Sequence, residues 1–208
     1  AIKGLGEGPV EGIITAREKG GNFVDLFDFC SRVDAKKINK RTLEALIRSG
    51  AMDSIGPAGE PGYQRTVMLS AMSEAVKTAE QHARNETIGI TDLFGGDPND
   101  PAIKCKYKKF NHISSETSKE RLSGERDTLG LYLSGHPVDE YSDELACYIK
   151  RKIFELKVEK TPQTVAGLVM DIRMVRTRSG DTMAIISLDD KSAQIDVAVF
   201  SETYKEAR

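Results

Sequence analysis

The sequence predicts an α+β chain of more than one domain, in which a helical part is followed by a short antiparallel β part. Two observations carry this. Up to about residue 133 the apolar residues recur at helical spacing between glycine stops, whereas beyond Pro162 they alternate with a period of two. Between the helices lies Gly95-Gly96-Asp97-Pro98-Asn99-Asp100-Pro101, a run that neither a helix nor a strand accommodates. A chain of 208 residues has room for one to two domains with a sizeable core.

Residues 9–19 read as the first helix, with Pro9 at its start and Gly20-Gly21 as its stop. Asn22 is expected to cap a second helix over about 23–33, because Phe23, Leu26, Phe27 and Cys30 follow i, i+3, i+4, i+7. The basic connection Asp34-Ala35-Lys36-Lys37-Ile38-Asn39 leads to a third helix, Lys40–Arg48, whose stripe is Leu43, Leu46 and Ile47. Ser49-Gly50 ends it. Tyr63–Ala83 is a weakly amphipathic helix, 85–111 is expected to be flexible, and 118–133 is helical again with Gly124 and Gly130 as interruptions. Strands are expected from about Val165 to Val175, over Met183–Leu188 and over Gln194–Phe200, with Ser201-Glu202-Thr203 starting a last helix. A long first strand, a basic hairpin and a third strand match the opening of an OB-fold barrel, which has five strands, so a partial barrel is expected.

Charged residues make up 30 % of the chain, yet the net charge is only −2, so any nucleic-acid binding must rest on local basic patches and backbone amides. Cys30, Cys105 and Cys147 are too scattered and odd in number for a disulfide framework or a zinc cluster, which fits a reducing cytoplasm. No apolar run reaches the roughly 18 residues of a membrane span, so no membrane partner is expected. The missing initiator Met suggests a piece of a longer chain.

Gly4, Gly6 and Gly8 alternate ahead of the first helix. Such a turn leaves bare amides at a helix N-terminus, where an anion is favoured, and Lys3 stands beside it. A glycine-rich turn before a helix is common by itself. Lys36, Lys37, Lys40 and Arg41 surround the second turn. A solvated basic helix start is the usual reading of such a cluster, but cations there oppose the helix dipole and ask for another reason. Ile90-Thr91-Asp92-Leu93-Phe94 reads either as an extended peptide offering two apolar anchors to a partner or as a loop folded back on its own domain. His82, His112 and His136 are isolated and read as surface or loop histidines. No paired-carboxylate, nucleophile–base or P-loop arrangement is present, so no catalytic residue and no metal site is expected in this chain. Arg173, Arg176, Arg178 and Lys191 cluster on the first strands and their turns, where an OB-fold commonly meets single-stranded nucleic acid; Phe200 is the only aromatic there.

The glycine turn Gly4-Leu5-Gly6 resembles the helix-hairpin-helix family. More widely, Ala1-Ile2-Lys3-Gly4-Leu5-Gly6-Glu7-Gly8, then Asp25-Leu26-Phe27-Asp28-Phe29-Cys30, then Arg41-Thr42-Leu43-Glu44-Ala45-Leu46-Ile47-Arg48-Ser49-Gly50-Ala51-Met52-Asp53 resemble the family of bacterial DNA polymerase III alpha subunits, the C-family replicative polymerases. Gly130-Leu131-Tyr132-Leu133-Ser134-Gly135-His136-Pro137 and the strands after Val165 continue the resemblance in the same order.

The resemblance implies four stretches. Residues 1–84 would be the end of the fingers and a tandem helix-hairpin-helix, 85–111 a flexible segment with a clamp-binding peptide, 112–162 a helical connector, and 163–208 the start of an OB-fold. It further implies that Lys3, Gly4, Gly6 and Gly8, with Lys36, Lys37, Asn39, Lys40 and Arg41, grip duplex DNA. Arg173, Arg176 and Arg178 would meet single-stranded template, and Ile90, Thr91, Asp92, Leu93 and Phe94 a sliding clamp, with Ile90 where the family pattern has Gln. Other replicase subunits are implied as partners, and Mg²⁺ as the cofactor of the parent polymerase, whose catalytic carboxylates lie upstream. The alternatives are a stand-alone repair or recombination DNA-binding module, and a structural scaffold in which the hairpins only pack.

Overall fold

The structure is a computed structural model that describes residues 1–35, 37–87, 106–110, 112–177 and 180–206. They fall into two units, Ala1–Leu133 and Ser134–Arg208. The stretch expected as a connector is thereby divided, its first helix lying in the first unit.

The first unit is helical. Helix α1 spans Glu7–Gly20, and Gly21 at φ +74 ends it. Helix α2 is shorter than the apolar spacing predicts, Leu26–Arg32, because Asp25 rather than Asn22 caps it: the Asp25 carboxylate accepts from the Asp28 amide at 2.7 Å. Phe23 keeps the phase of the stripe from outside the helix, its ring edge-on to Phe29 at 4.9 Å and beneath the Arg32 guanidinium at 4.5 Å. Arg32 also donates to the carbonyls of Ala16, Gly21 and Asn22, tying the end of α1 to α2. Helix α3, Lys40–Arg48, lies where its stripe and stop signal predict.

Helix α4 runs over Pro61–Thr87 and forms the floor of the unit against α2 and α3. Val67, Met68, Ala71, Met72 and Ala75 meet Leu26, Phe27, Phe29, Leu43, Leu46 and Ile47 in one core. Each large side chain fully buried there contributes about 1.5–3 kcal/mol. The small alanines let α4 approach α2 closely, and they also dilute the apolar periodicity that marks a helix in sequence. The segment expected to be flexible is ordered at both ends. Helix α4 continues to Thr87, and Tyr107 is buried, its hydroxyl accepting from the Leu26 amide at 3.2 Å. A capping box of Thr117 and Glu120 opens helix α5, Ser118–Leu129. Gly124 does not interrupt it; Gly130, in the left-handed conformation at φ +77, ends it.

In the second unit a 3₁₀ turn at Pro137–Tyr141, helix α6 (Ser142–Tyr148) and a second 3₁₀ turn at Ile153–Glu155 precede the sheet. Strands β1 (Leu168–Arg176), β2 (Thr182–Asp189) and β3 (Gln194–Val199) form an antiparallel meander in the order β1-β2-β3, and helix α7, Ser201–Glu206, follows. Ile172 pairs with Ile186 and Ile186 with Val197, so one face is apolar. Asp171, Arg173, Ser187 and Asp196 lie on the other. Among the described residues the sheet is open, and on β1 the apolar Ile172 and Met174 are about half exposed.

Candidate nucleic-acid interface

The first turn is a four-residue type II turn. The Leu5 amide donates to the Ile2 carbonyl at 3.1 Å, and Gly4 takes φ +84, the left-handed value the third position requires. The Lys3 amide donates to the Thr128 carbonyl at 2.7 Å, which fixes the turn against the end of α5. Gly6 is the N-cap of α1 and no side chain caps the helix; the amides of Gly6, Glu7 and Gly8 donate to no protein group among the described residues. Space above Gly4, Gly6 and Gly8 is open. Of the three glycines only Gly4 needs its conformational freedom; Gly6 and Gly8 leave the surface bare. Glu7 adds an exposed carboxylate that suits the helix dipole and opposes an anion.

The second turn joins α2 to α3, with the Lys37 amide donating to the Asp34 carbonyl at 2.9 Å. Asn39 caps α3, its side-chain oxygen accepting from the Thr42 amide at 2.8 Å. That oxygen is committed to the helix, while the side-chain NH₂ is the group that could donate to an anion. Lys40 and Arg41 fill the exposed first turn of α3, which carries no acid. Lys3, Lys37, Lys40 and Arg41 form no ion pair among the described residues. Lys36 lies outside the described residues.

The second turn meets helix α1 through a contact that the sequence does not announce. Gly12 of α1 is buried, and a Cβ there would stand 3.0 Å from the Lys37 Cδ and 3.8 Å from the Val33 Cγ1. The aliphatic stem of Lys37 therefore lies across α1, leaving its ammonium in solvent.

Behind this surface is a buried charge network that the sequence reading missed. Arg65 of α4 grips Asp53 through two hydrogen bonds of 2.9 and 2.7 Å and Glu125 of α5 through one of 2.9 Å. Arg65 is 3 % exposed and Glu125 is fully buried; the second Glu125 oxygen accepts from the Leu133 amide at 2.8 Å. Burial alone pulls the Arg65 pKa down, but its bonds to Asp53 and Glu125 outweigh that and hold it above the ordinary guanidinium value. The one signal in sequence is Arg65 standing in phase with the buried stripe of α4.

In the second unit Arg173 is engaged by Asp196 at 2.8 Å and Asp171 at 3.5 Å, so it is not the unpaired cation the sequence suggests. Arg176, at the exposed end of β1, forms no ion pair among the described residues. Phe200 is 65 % exposed rather than core. His136 is buried, not a surface residue: its Nδ1 accepts from the Val138 amide at 3.2 Å, which leaves Nε2 for the proton, 3.4 Å from Asp189. Arg178 and the peptide Ile90, Thr91, Asp92, Leu93 and Phe94 lie outside the described residues. Among the described residues no three ligating side chains gather to hold a metal ion, and no helix is long and apolar enough to cross a membrane.

Comparison with known proteins agrees with this geometry. A family model described as the helix-hairpin-helix motif matches residues 1–60. The chain is 49 % identical over its whole length to the DNA polymerase III subunit alpha of Pseudomonas aeruginosa. It is 45 % identical over 97 % of its length to the subunit of Vibrio cholerae, and 41 % over 97 % to that of Escherichia coli K12. It spans only 17–18 % of the length of these curated relatives.

Proposed function

Because the chain is homologous throughout to one segment of the DNA polymerase III alpha subunit, we propose that it is a non-catalytic, DNA-holding and clamp-tethering region of a replicative DNA polymerase. The parent would copy a template from deoxynucleoside triphosphates with Mg²⁺ in the cytoplasm, alongside other replicase subunits; this chain would supply processivity. The observation that carries the reading is a pair of turns, each opening on an exposed helix start, with the Lys37 stem of the second packed on Gly12 of α1.

Consecutive phosphates of one strand would accept from the amides of Gly6, Glu7 and Gly8 beside Lys3. The second turn would meet the duplex with Lys36, Lys37, Lys40 and Arg41. Contacts from backbone amides and cations to phosphates carry no base information, so the grip would be indifferent to sequence. With these five cations in contact, the affinity for duplex should fall with the logarithm of salt at a slope of about −4 to −5. Replacing Lys37, Lys40 and Arg41 by Gln should flatten that slope by about 3. A wild-type chain that binds no duplex, or binds it with a flat salt response, overturns the reading.

Leu93 and Phe94 would anchor the clamp, raising the effective concentration of the polymerase at the primer end. Leu93→Ala with Phe94→Ala should abolish capture of the chain by a sliding clamp, and unchanged capture refutes the assignment. Ile90→Gln, which restores an amide, should tighten capture. β1, β2 and β3 would be the first strands of an OB-fold, a reading supported by the half-exposed apolar face of β1; Arg176 and Arg178 would line its contact with template.

A further inference from the structure

In the second unit, two neighbouring grooves share Lys150 and Arg151. The larger, about 730 Å³, is floored by Leu145, Ile149 and Ala166 and edged by Phe154. The smaller, about 380 Å³, begins at Tyr148. Both aromatic rings are set out in solvent, Tyr148 at 77 % and Phe154 at 64 % exposure. The turn between β2 and β3 contributes Asp190, Lys191 and Ser192 to the edge of the larger groove.

Its charges are unequal in a specific way. The acids along the larger groove are occupied internally. Asp190 accepts from the amides of Ile153, Ser192 and Ala193, Glu155 from the Lys152 amide, and Asp139 from Lys191 and the His136 amide. Arg151 is paired with Glu159 at 3.1 Å. Lys150 and Lys152 form no ion pair among the described residues and are exposed. The surface thus alternates an aromatic ring, a cluster of cations and a second aromatic ring.

We propose that this track binds single-stranded nucleic acid, with bases stacking on Phe154 and Tyr148 and the backbone following Lys150 and Lys152. Every base has a π-face, so stacking tolerates any sequence, and the cations add a salt-dependent hold. A peptide of acidic residues would use the cations but gain little from two exposed rings set on either side of them. The inference rests on the reading of the chain as DNA-holding, and adds residues 148–154 to Arg176 and Arg178 as a contact for the single strand.

The test uses the whole chain with a short labelled oligothymidylate, a duplex of the same length, and polyglutamate as competitor. Lys150→Gln with Lys152→Gln should reduce the salt slope for the single strand by about 1.4, the share of two phosphates, and leave duplex binding unchanged. Phe154→Ala should weaken the single strand at least about fivefold without changing the slope, and Phe154→Tyr should restore it. All these side chains are exposed, so circular dichroism should be unaltered. The proposal is overturned if the chain binds duplex but no single strand, if the variants bind the single strand like wild type, or if polyglutamate displaces the oligothymidylate as readily as unlabelled oligothymidylate does. Loss of both duplex and single-strand binding in the wild type overturns the DNA-holding reading itself, and this proposal with it.

Discussion

At the scale of single residues, the largest energetic stakes sit on Glu125 and Arg65. Buried opposite charges are tolerable only while matched: without Glu125, Arg65 keeps Asp53 alone and the Leu133 amide loses its acceptor. Glu125→Ala should therefore lower the stability of the first unit by about 3–5 kcal/mol in urea denaturation, against roughly 0–1 kcal/mol for breaking the exposed Arg48–Glu44 pair. Gly50 matters for the same network. It sits at φ +78, and a Cβ there would run into the Arg65 guanidinium. Gly50→Ala should cost at least about 1–2 kcal/mol from backbone conformation alone, and the loss should shrink in an Arg65→Met background, where the guanidinium is gone. Equal losses in both backgrounds would show that only the backbone matters. Gly50 is marked in the sequence as a helix stop, but its approach to Arg65 is not, and Glu125 carries no mark at all. A buried glutamate looks like any surface one until its partner, sixty residues away, is folded against it.

At the scale of elements, α3 was legible to the residue because its stripe and glycine stop agree. α2 was read with its right face and the wrong start, since Phe23 obeys helical spacing while lying outside the helix. The contact of the second turn with α1 was not legible at all: it depends on Gly12, an unremarkable glycine in a helix until Lys37 is laid across it. Gly12→Leu should force that stem away, with an overpacking cost of about 1–3 kcal/mol. Duplex affinity should then lose salt dependence worth about one phosphate contact. Thermal denaturation and a salt titration measure the two effects separately. A destabilised variant with an unchanged salt slope would show that Lys37 does not depend on α1 for its placement.

At the scale of the whole chain, the two units should answer pH differently. In the first, burial pushes the Cys30 thiol up to about 12, with Asp25 adding to it, and burial likewise raises the Tyr107 hydroxyl. Folding favours their neutral forms. The stability they contribute is intact below the ordinary thiol value of 9.0 and is lost as pH rises toward 12. The urea midpoint of the first unit should fall over that range, and Cys30→Ala should flatten the fall. In the second unit Asp139 is held low chiefly by the hydrogen bond from Lys191. Burial pushes Asp190 up, but bonds from the Ser192 hydroxyl and three amides outweigh it and hold its carboxyl low too. These contributions are present above the ordinary carboxylate value of 3.8 and are lost as pH falls below it. Asp190→Asn should therefore make the second unit less sensitive to acid, as followed by the amide resonances of its strands.

The sequence alone determined the order of the longer helices and of the strands, the β2–β3 turn and the resemblance to the polymerase subunits, because periodicity, caps and turn residues act over a few neighbouring positions; the short helix Ser142–Tyr148 was not read. Only the tertiary structure decided which charges are free. Arg173 and Lys191 are spent on carboxylates brought in from distant positions, while Lys37, Lys40, Arg41, Lys150 and Lys152 remain unpaired among the described residues. A cation's availability depends on what folding places within about 4 Å of it, where Coulomb attraction and hydrogen bonding outweigh the loss of water, and that distance is not written in the order of residues.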